Sequence, residues 1–369
     1  MYNILSTESK IKQIIDELKA LSAQAGLANQ GEEERIITSV FLYKFLNDKF
    51  MYSLSKFGEE IGESIDEILK NENDELDAFY DTTSGDVAFG YEDTIQYLIN
   101  HVEQANFYQQ FDEALVRIAQ NTRNEAFAVE TAEGSHRPLF EPISTPVEPS
   151  NRNNFAKNIF GIIAQDKFDF SDTFAGSFDF YSTIFEYLIK DYNVASGVYA
   201  EYFTPQAVSS IIAKCLVGMS DKIEASEISD PAAGSGSLIL HLAHELGQEN
   251  GMNRAIVYTQ DISSKSTRFL RLNMMLNGMT ESLGHIIQGD TLLNPAHFEV
   301  EHEPTSGLKK YAYQTANPPS SWTFPPPVMP SNRSGLRLTA SLRGCRRSPL
   351  IRRNPWRFTC CLSSTSCTA

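Results

Sequence analysis

Asp230-Pro231-Ala232-Ala233-Gly234-Ser235-Gly236-Ser237 is the stretch around which the rest of the sequence arranges itself. Glu227 to Ser229, just before it, read as a strand. Leu238, Ile239, Leu240, Leu242 and Ala243, just after it, are apolar at helical spacing. Strand, tight glycine turn and helix start are the parts of the cradle that doubly wound α/β proteins build beneath a nucleotide-like ligand. Gly234 and Gly236 lack the Cβ that bars a close backbone approach. The free N–H groups of the following helix would face an anionic end of the ligand. A plain turn between a buried strand and helix has much the same composition, so the order of the surrounding elements has to decide.

That order is informative. Ala255 to Thr259 form a second candidate strand, closed by Gln260-Asp261. An acid at the end of the second strand is where such folds hydrogen-bond ribose hydroxyls. Asp261 lies 31 residues after Asp230, long for one strand–helix–strand step but reasonable with an added turn. Ser264–Asn277 reads as the next helix, and His285-Ile286-Ile287-Gln288-Gly289-Asp290 as a third strand ending in an acid. Asp290 suits an adenine amino group, or equally a helix or turn cap. Tyr311 to Ala316 is a fourth strand, leading to Asn317-Pro318-Pro319, where two prolines force the chain out of the sheet. Upstream, Gly197 to Phe203 form a loop feeding a helix, with Thr204 expected at the N-cap and Pro205 at the first helical position.

Asparagine beside a ligand cleft suits the methylation of an exocyclic amine. The lone pair of that amine is delocalised into its ring. A side-chain amide oxygen and a prolyl carbonyl accept its N–H protons and tip the nitrogen toward tetrahedral geometry. Transfer from a sulfonium donor in the Asp230–Gly236 cleft then needs positioning and electrostatics more than a strong base. A stacked base has to be flipped out to be reached.

The ordered set Tyr202-Phe203-Thr204-Pro205, Asp230 to Gly236, Gln260-Asp261, Gly289-Asp290 and Asn317-Pro318-Pro319 resembles the amino-group DNA methyltransferases. More narrowly, residues 1–319 are similar to the modification subunit of type I restriction–modification systems, N6-adenine methyltransferases that use S-adenosylmethionine. The resemblance implies that Phe203, Thr204, Asp230, Ala232, Gly234 and Gly236 hold the cofactor's methionine end, Asp261 its ribose and Asp290 its adenine. It implies that Asn317, Pro318 and Pro319 hold the flipped target adenine. It also implies that DNA is read by a separate specificity subunit, with a restriction subunit as a further partner.

The expected architecture is α/β. Residues 1–150 form a mainly helical domain, with helices over about 7–24 and 32–57 and a proline-marked stretch over 124–154 that reads as a linker or as a loop packed against the next domain. Residues 151–319 form the N-terminal part of a Rossmann-like methyltransferase domain, including a helix over 178–191.

Residues 320–369 differ in kind. They hold eight arginines, both tryptophans and four of the five cysteines, with no lysine, aspartate or glutamate. Before them stand 23 basic and 47 acidic residues, a formal charge of −24 against −16 for the whole chain. Ser320 stands where the family has an aromatic residue after Asn-Pro-Pro. A change of composition at that same point reads as translation in a shifted frame, leaving a disordered basic tail and an incomplete target cleft. A genuine basic tail that binds DNA is the alternative.

An acidic body is a poor DNA-binding surface by itself, because phosphate neutralisation dominates affinity. This agrees with gripping by another subunit. One cysteine, Cys215, in the body disfavours disulfides there. The seven histidines form no clear metal set, and no membrane span or signal peptide is recognisable, so a cytoplasmic protein is expected. Two rivals remain: a non-catalytic remnant that binds partner subunits, and a methyltransferase acting on protein glutamine. A nicotinamide dehydrogenase is disfavoured by the missing third spaced glycine.

Overall fold

The computed structural model describes residues 4–28, 31–70, 74–83, 86–131, 136–174, 204–219, 226–249, 252–300 and 303–318. The expected helix over 178–191, the loop to Phe203, Pro319 and the tail lie outside them. Helices α1 (Ile4–Gln24) and α2 (Gly31–Ile61) open the chain. Apolar residues recur at helical spacing in both, and α2 begins with Glu32, Glu33 and Glu34, whose charges complement the helix dipole. Around α2 pack α3 (Ile65–Lys70), α4 (Asp74–Thr82), α5 (Ile95–Leu98), α6 (Phe107–Gln120), α7 (Arg152–Ile163) and α8 (Ser171–Phe174). Their core is aromatic: Tyr43 meets Phe111 edge to face, and Phe50 meets Phe79 in the same way.

Asn124 knots this core. Its Oδ1 accepts from Ala88 N at 2.8 Å, while its Nδ2 donates to the carbonyls of Ala88 and Ile118, each at 2.8 Å. The side chain is buried, so its removal strands one donor and two acceptors away from water. Asn124→Ala is expected to cost about 3 kcal/mol in a urea titration.

The second half is a sheet. Its strands are β1 (Val129–Thr131), β2 (His136–Arg137), β3 (Ser226–Asp230), β6 (Ala255–Asp261), β7 (Ile286–Gln288) and β8 (Tyr313–Gln314), and β4 (Gln248–Glu249) with β5 (Met252–Asn253) makes a separate hairpin. In space the order is β2-β1-β7-β6-β3-β8, parallel throughout except β2 against β1. Helix α9 (Gln206–Gly218) lies along α10 (Ser237–Leu246), which packs on β3 and β6, and α11 (Ser264–Leu276) packs on β6 and β7.

Two expectations need correction and a third is met. The 124–154 segment is more than a linker, because Glu130 and Thr131 pair in parallel with Ile287 and Gln288 and extend the sheet. Its prolines lie at 138 and beyond, after β1 and β2, so they do not interrupt the pairing. The long Asp230-to-Asp261 interval holds the added turn expected of it, the β4–β5 hairpin. The third strand stops at Gln288 and leaves Asp290 in a turn.

The buried apolar residues of helices and sheet form one continuous core. Among the described residues, no helix is long and apolar enough to cross a membrane.

Candidate cofactor and target site

Strands β3, β6 and β7 step away in one direction, and β8 returns on the other side of β3. The order reverses between β3 and β8, and in open α/β sheets the crevice beyond the strands' carboxyl ends at such a switch point is where ligands bind. The Asp230 turn and Asn317 flank it.

Asp230 ends β3 and folds the turn onto itself: its Oδ1 accepts from Ala232 N at 2.9 Å. Gly234 has φ +56° and Gly236 φ +91°, the left-handed region that glycine enters without penalty. Gly236 is also closely packed, since a Cβ there would lie 2.2 Å from Leu270 Cδ1. Asp261 crosses over from the neighbouring strand. Its Oδ2 accepts from Gly234 N at 2.8 Å and its Oδ1 from Ser263 N at 2.8 Å. The two carboxylates thus hold the turn from both ends, and each oxygen of Asp261 keeps a lone pair for a further donor.

Burial pushes the Asp230 carboxyl up to about 7, and the neighbouring Asp261 charge adds to this against the Ala232 N–H and the Thr315 hydroxyl. Burial likewise raises Asp261, opposed by the two N–H groups it accepts from. Two acids whose charge is disfavoured at one turn suit a ligand bearing cationic groups and hydroxyls. Asp290 Oδ1 accepts from Leu292 N at 2.9 Å and Leu293 N at 3.1 Å, which makes it a turn cap through that oxygen. Gly289 N donates to Asp261 O at 2.9 Å, which brings this turn beside the other acids.

Thr204 does not cap α9. The helix starts at Gln206 with Pro205 as its N-cap, because the Pro205 carbonyl accepts from Val208 N and Ser209 N. The Thr204 side chain turns inward instead, and its Oγ1 accepts from Asn317 Nδ2 at 3.0 Å. With Nδ2 engaged, Asn317 Oδ1 stands as the acceptor. Pro318 is exposed beyond it, Ala232 is part-buried in the turn, and Phe203 and Pro319 lie outside the described residues.

Four hydroxyl residues escaped the sequence reading. Thr315 Oγ1 donates to Asp230 Oδ2 at 3.0 Å, and Ser237 Oγ donates to Thr204 O at 3.0 Å. Ser209 Oγ lies 2.9 Å from Ser237 Oγ, and Thr291 Oγ1 donates to Pro231 O at 2.7 Å. The only signal in the sequence was the two-residue period that places Thr315 and Asn317 on one side of an extended segment.

Residues 176–335 match the family described as N-6 DNA Methylase. Over 146 residues the chain is 31% identical to the methylase subunit of the type I restriction enzyme MpnII from Mycoplasma pneumoniae, covering 39% of this chain and 26% of that protein. Over 319 residues it is 24% identical to the MjaVIII methylase subunit from Methanocaldococcus jannaschii, covering 85% of this chain and 50% of the relative. The chain thus spans half or less of the length of these relatives. Among solved structures, a type I restriction–modification methyltransferase subunit from Streptococcus thermophilus shares the fold, with TM-score 0.55 at 20% identity over 78% of this chain and 62% of that one. By these matches the chain is similar to the N-6 DNA methylases and to the methylase subunits of type I restriction enzymes.

Proposed function

We propose that the chain holds S-adenosylmethionine at the Asp230–Gly236 turn and presents Asn317 to the N6 amine of a flipped adenine in DNA. On this reading it is a cytoplasmic type I methylase subunit that works with specificity and restriction subunits. The observation that carries the reading is the convergence of two carboxylates and one amide at a single switch point: Asp230 and Asp261 at the glycine turn, Asn317 across from it.

The residues fit the cofactor. Buried Asp230 and half-buried Asp261 provide the negative potential that a sulfonium and an ammonium need, and Asp261 retains acceptor capacity for ribose hydroxyls. Bound there, S-adenosylmethionine supplies a methyl group on a positively charged sulfur that leaves as a neutral thioether. Asn317 Oδ1 accepts an amine N–H, together with the carbonyl of Pro318, and turns the nitrogen lone pair outward. The prolines keep both acceptors in an extended segment that cannot relax into the sheet.

Calorimetric titration with S-adenosylmethionine tests the cofactor half. Asp261→Ala is expected to weaken binding by about 10–100-fold, the effect of losing a charged acceptor. Asn317→Ala, which breaks the contact to Thr204, is expected to weaken binding less than Asp261→Ala, because it removes no charged acceptor from the turn. Absence of binding by the unaltered chain, or equal binding by Asp261→Ala, overturns the reading.

Transfer is a separate matter. Ser320 stands where the family has an aromatic residue, so a base flipped out to Asn317 has no ring at that position to stack on. Little or no labelled methyl is therefore expected in DNA from this chain with a specificity subunit. Appreciable incorporation would overturn that expectation.

A further inference from the structure

The hydroxyl contacts close into a ring. Starting from the cofactor turn, Asp230 Oδ2 accepts from Thr315 Oγ1, and two residues later Asn317 Nδ2 donates to Thr204 Oγ1. The Thr204 carbonyl accepts from Ser237 Oγ, and Ser237 is the first residue of α10, immediately after Gly236. The turn then leads back to Asp230. Thr315 is further fixed through its backbone N–H, which donates to Ser229 O at 2.9 Å, and its side chain is buried, as are those of Thr204 and Asp230.

We propose that Thr315 and Ser237 are positioning residues. They join the cofactor turn and the Asn-Pro-Pro segment into one unit, so that ordering the turn also orients the Asn317 amide. Neither reaches the reacting atoms; each acts through a neighbour. Thr315 acts through Asp230 and through the two-residue step to Asn317, and Ser237 acts through Thr204. The inference rests on reading the Asp230–Gly236 turn as the cofactor site, but the ring itself is a property of the unliganded chain.

A ring propagates a cut in both directions, whereas a merely local contact does not. Buried hydroxyl-to-carboxylate bonds are worth enough for one loss to change local opening equilibria by about tenfold. Hydrogen exchange measured by mass spectrometry on the unliganded full chain therefore tests the proposal.

Thr315→Val, which keeps the shape and removes the hydroxyl, is expected to speed exchange about tenfold at 204–210 and at 230–237, as well as at 311–318. Thr315→Ser is expected to restore the slow rates. Ser237→Ala cuts the ring from the opposite side and is expected to speed exchange at 315–317. Acceleration confined to the mutated segment, or a Thr315→Ser chain that behaves like Thr315→Val, overturns the proposal.

Adding S-adenosylmethionine separates this inference from the reading beneath it. In the unaltered chain the cofactor is expected to slow exchange at both 230–237 and 315–317, and in Thr315→Val at 230–237 alone. Slowing of both segments in Thr315→Val counts against the ring. Slowing nowhere in the unaltered chain counts against the cofactor site, while the unliganded comparison still decides the ring.

Discussion

Gly236→Val is expected to destabilise the chain by about 2–5 kcal/mol and to abolish cofactor binding. Two costs add. At φ +91° a side chain with a Cβ meets the following carbonyl, at about 1–2 kcal/mol. The new Cβ would also lie 2.2 Å from Leu270 Cδ1 and 3.3 Å from Leu240 Cδ1. Leu270 is fully buried between α11 and the sheet and has little room to withdraw, so overpacking adds about 1–3 kcal/mol. Gly278→Ala is the matching control. Its φ of +65° imposes strain, but nothing lies within 4 Å of the added Cβ, and about 1–2 kcal/mol is expected. Urea midpoints for the two variants measure the difference, and equal losses would remove the packing argument.

The second large effect concerns pH. The Asp230 carboxyl is raised by burial from its ordinary range to about 7. The native state therefore holds this proton more tightly than the unfolded chain between about pH 4 and pH 7. Stability must then fall as pH rises through that window and level off above it, by at most about 4 kcal/mol. Asp230→Asn removes the titration while keeping a group that can donate to Thr315 Oγ1. The free-energy difference between Asp230→Asn and the unaltered chain is thus expected to shift in the variant's favour from pH 4 to pH 8. A flat difference, or the opposite sign, excludes Asp230 as the titrating group. A cationic ligand at the turn favours the ionised form, so saturating S-adenosylmethionine is expected to shrink the slope.

Much of this was legible in the sequence because strands and turns announce themselves locally. Asp230 to Gly236 and Gln260-Asp261 could be read as strand ends from a few residues of apolar alternation and two glycines. The β1 pairing could not. Val129–Thr131 is three residues long, and its partner lies in the third strand of a domain not yet begun at that point of the chain. Thr204 misled for a related reason. Threonine before proline is a good helix cap by local preference, but the unpaired Asn317 amide is a better partner for a buried hydroxyl, and only the folded chain brings the two together. Asp290 carried two readings from the start; the Leu292 and Leu293 N–H groups make its Oδ1 a turn cap, and they leave its other oxygen to a ligand.

The pairing of Glu130 with Ile287 sets an order of events during synthesis. Its partners lie roughly 160 residues apart, which a ribosome adding about 5–20 residues per second takes on the order of 10–30 s to translate. Over that interval the aromatic helical bundle has its own local contacts and can assemble, while β1 has no parallel neighbour. The sheet can seal at this side only after Ile286–Gln288 emerge, and by then β3 and β6 are already available to each other. A nascent chain paused shortly before residue 286 would thus present a finished bundle carrying one open strand, a waypoint that a chaperone or a protease would meet before the mature protein exists.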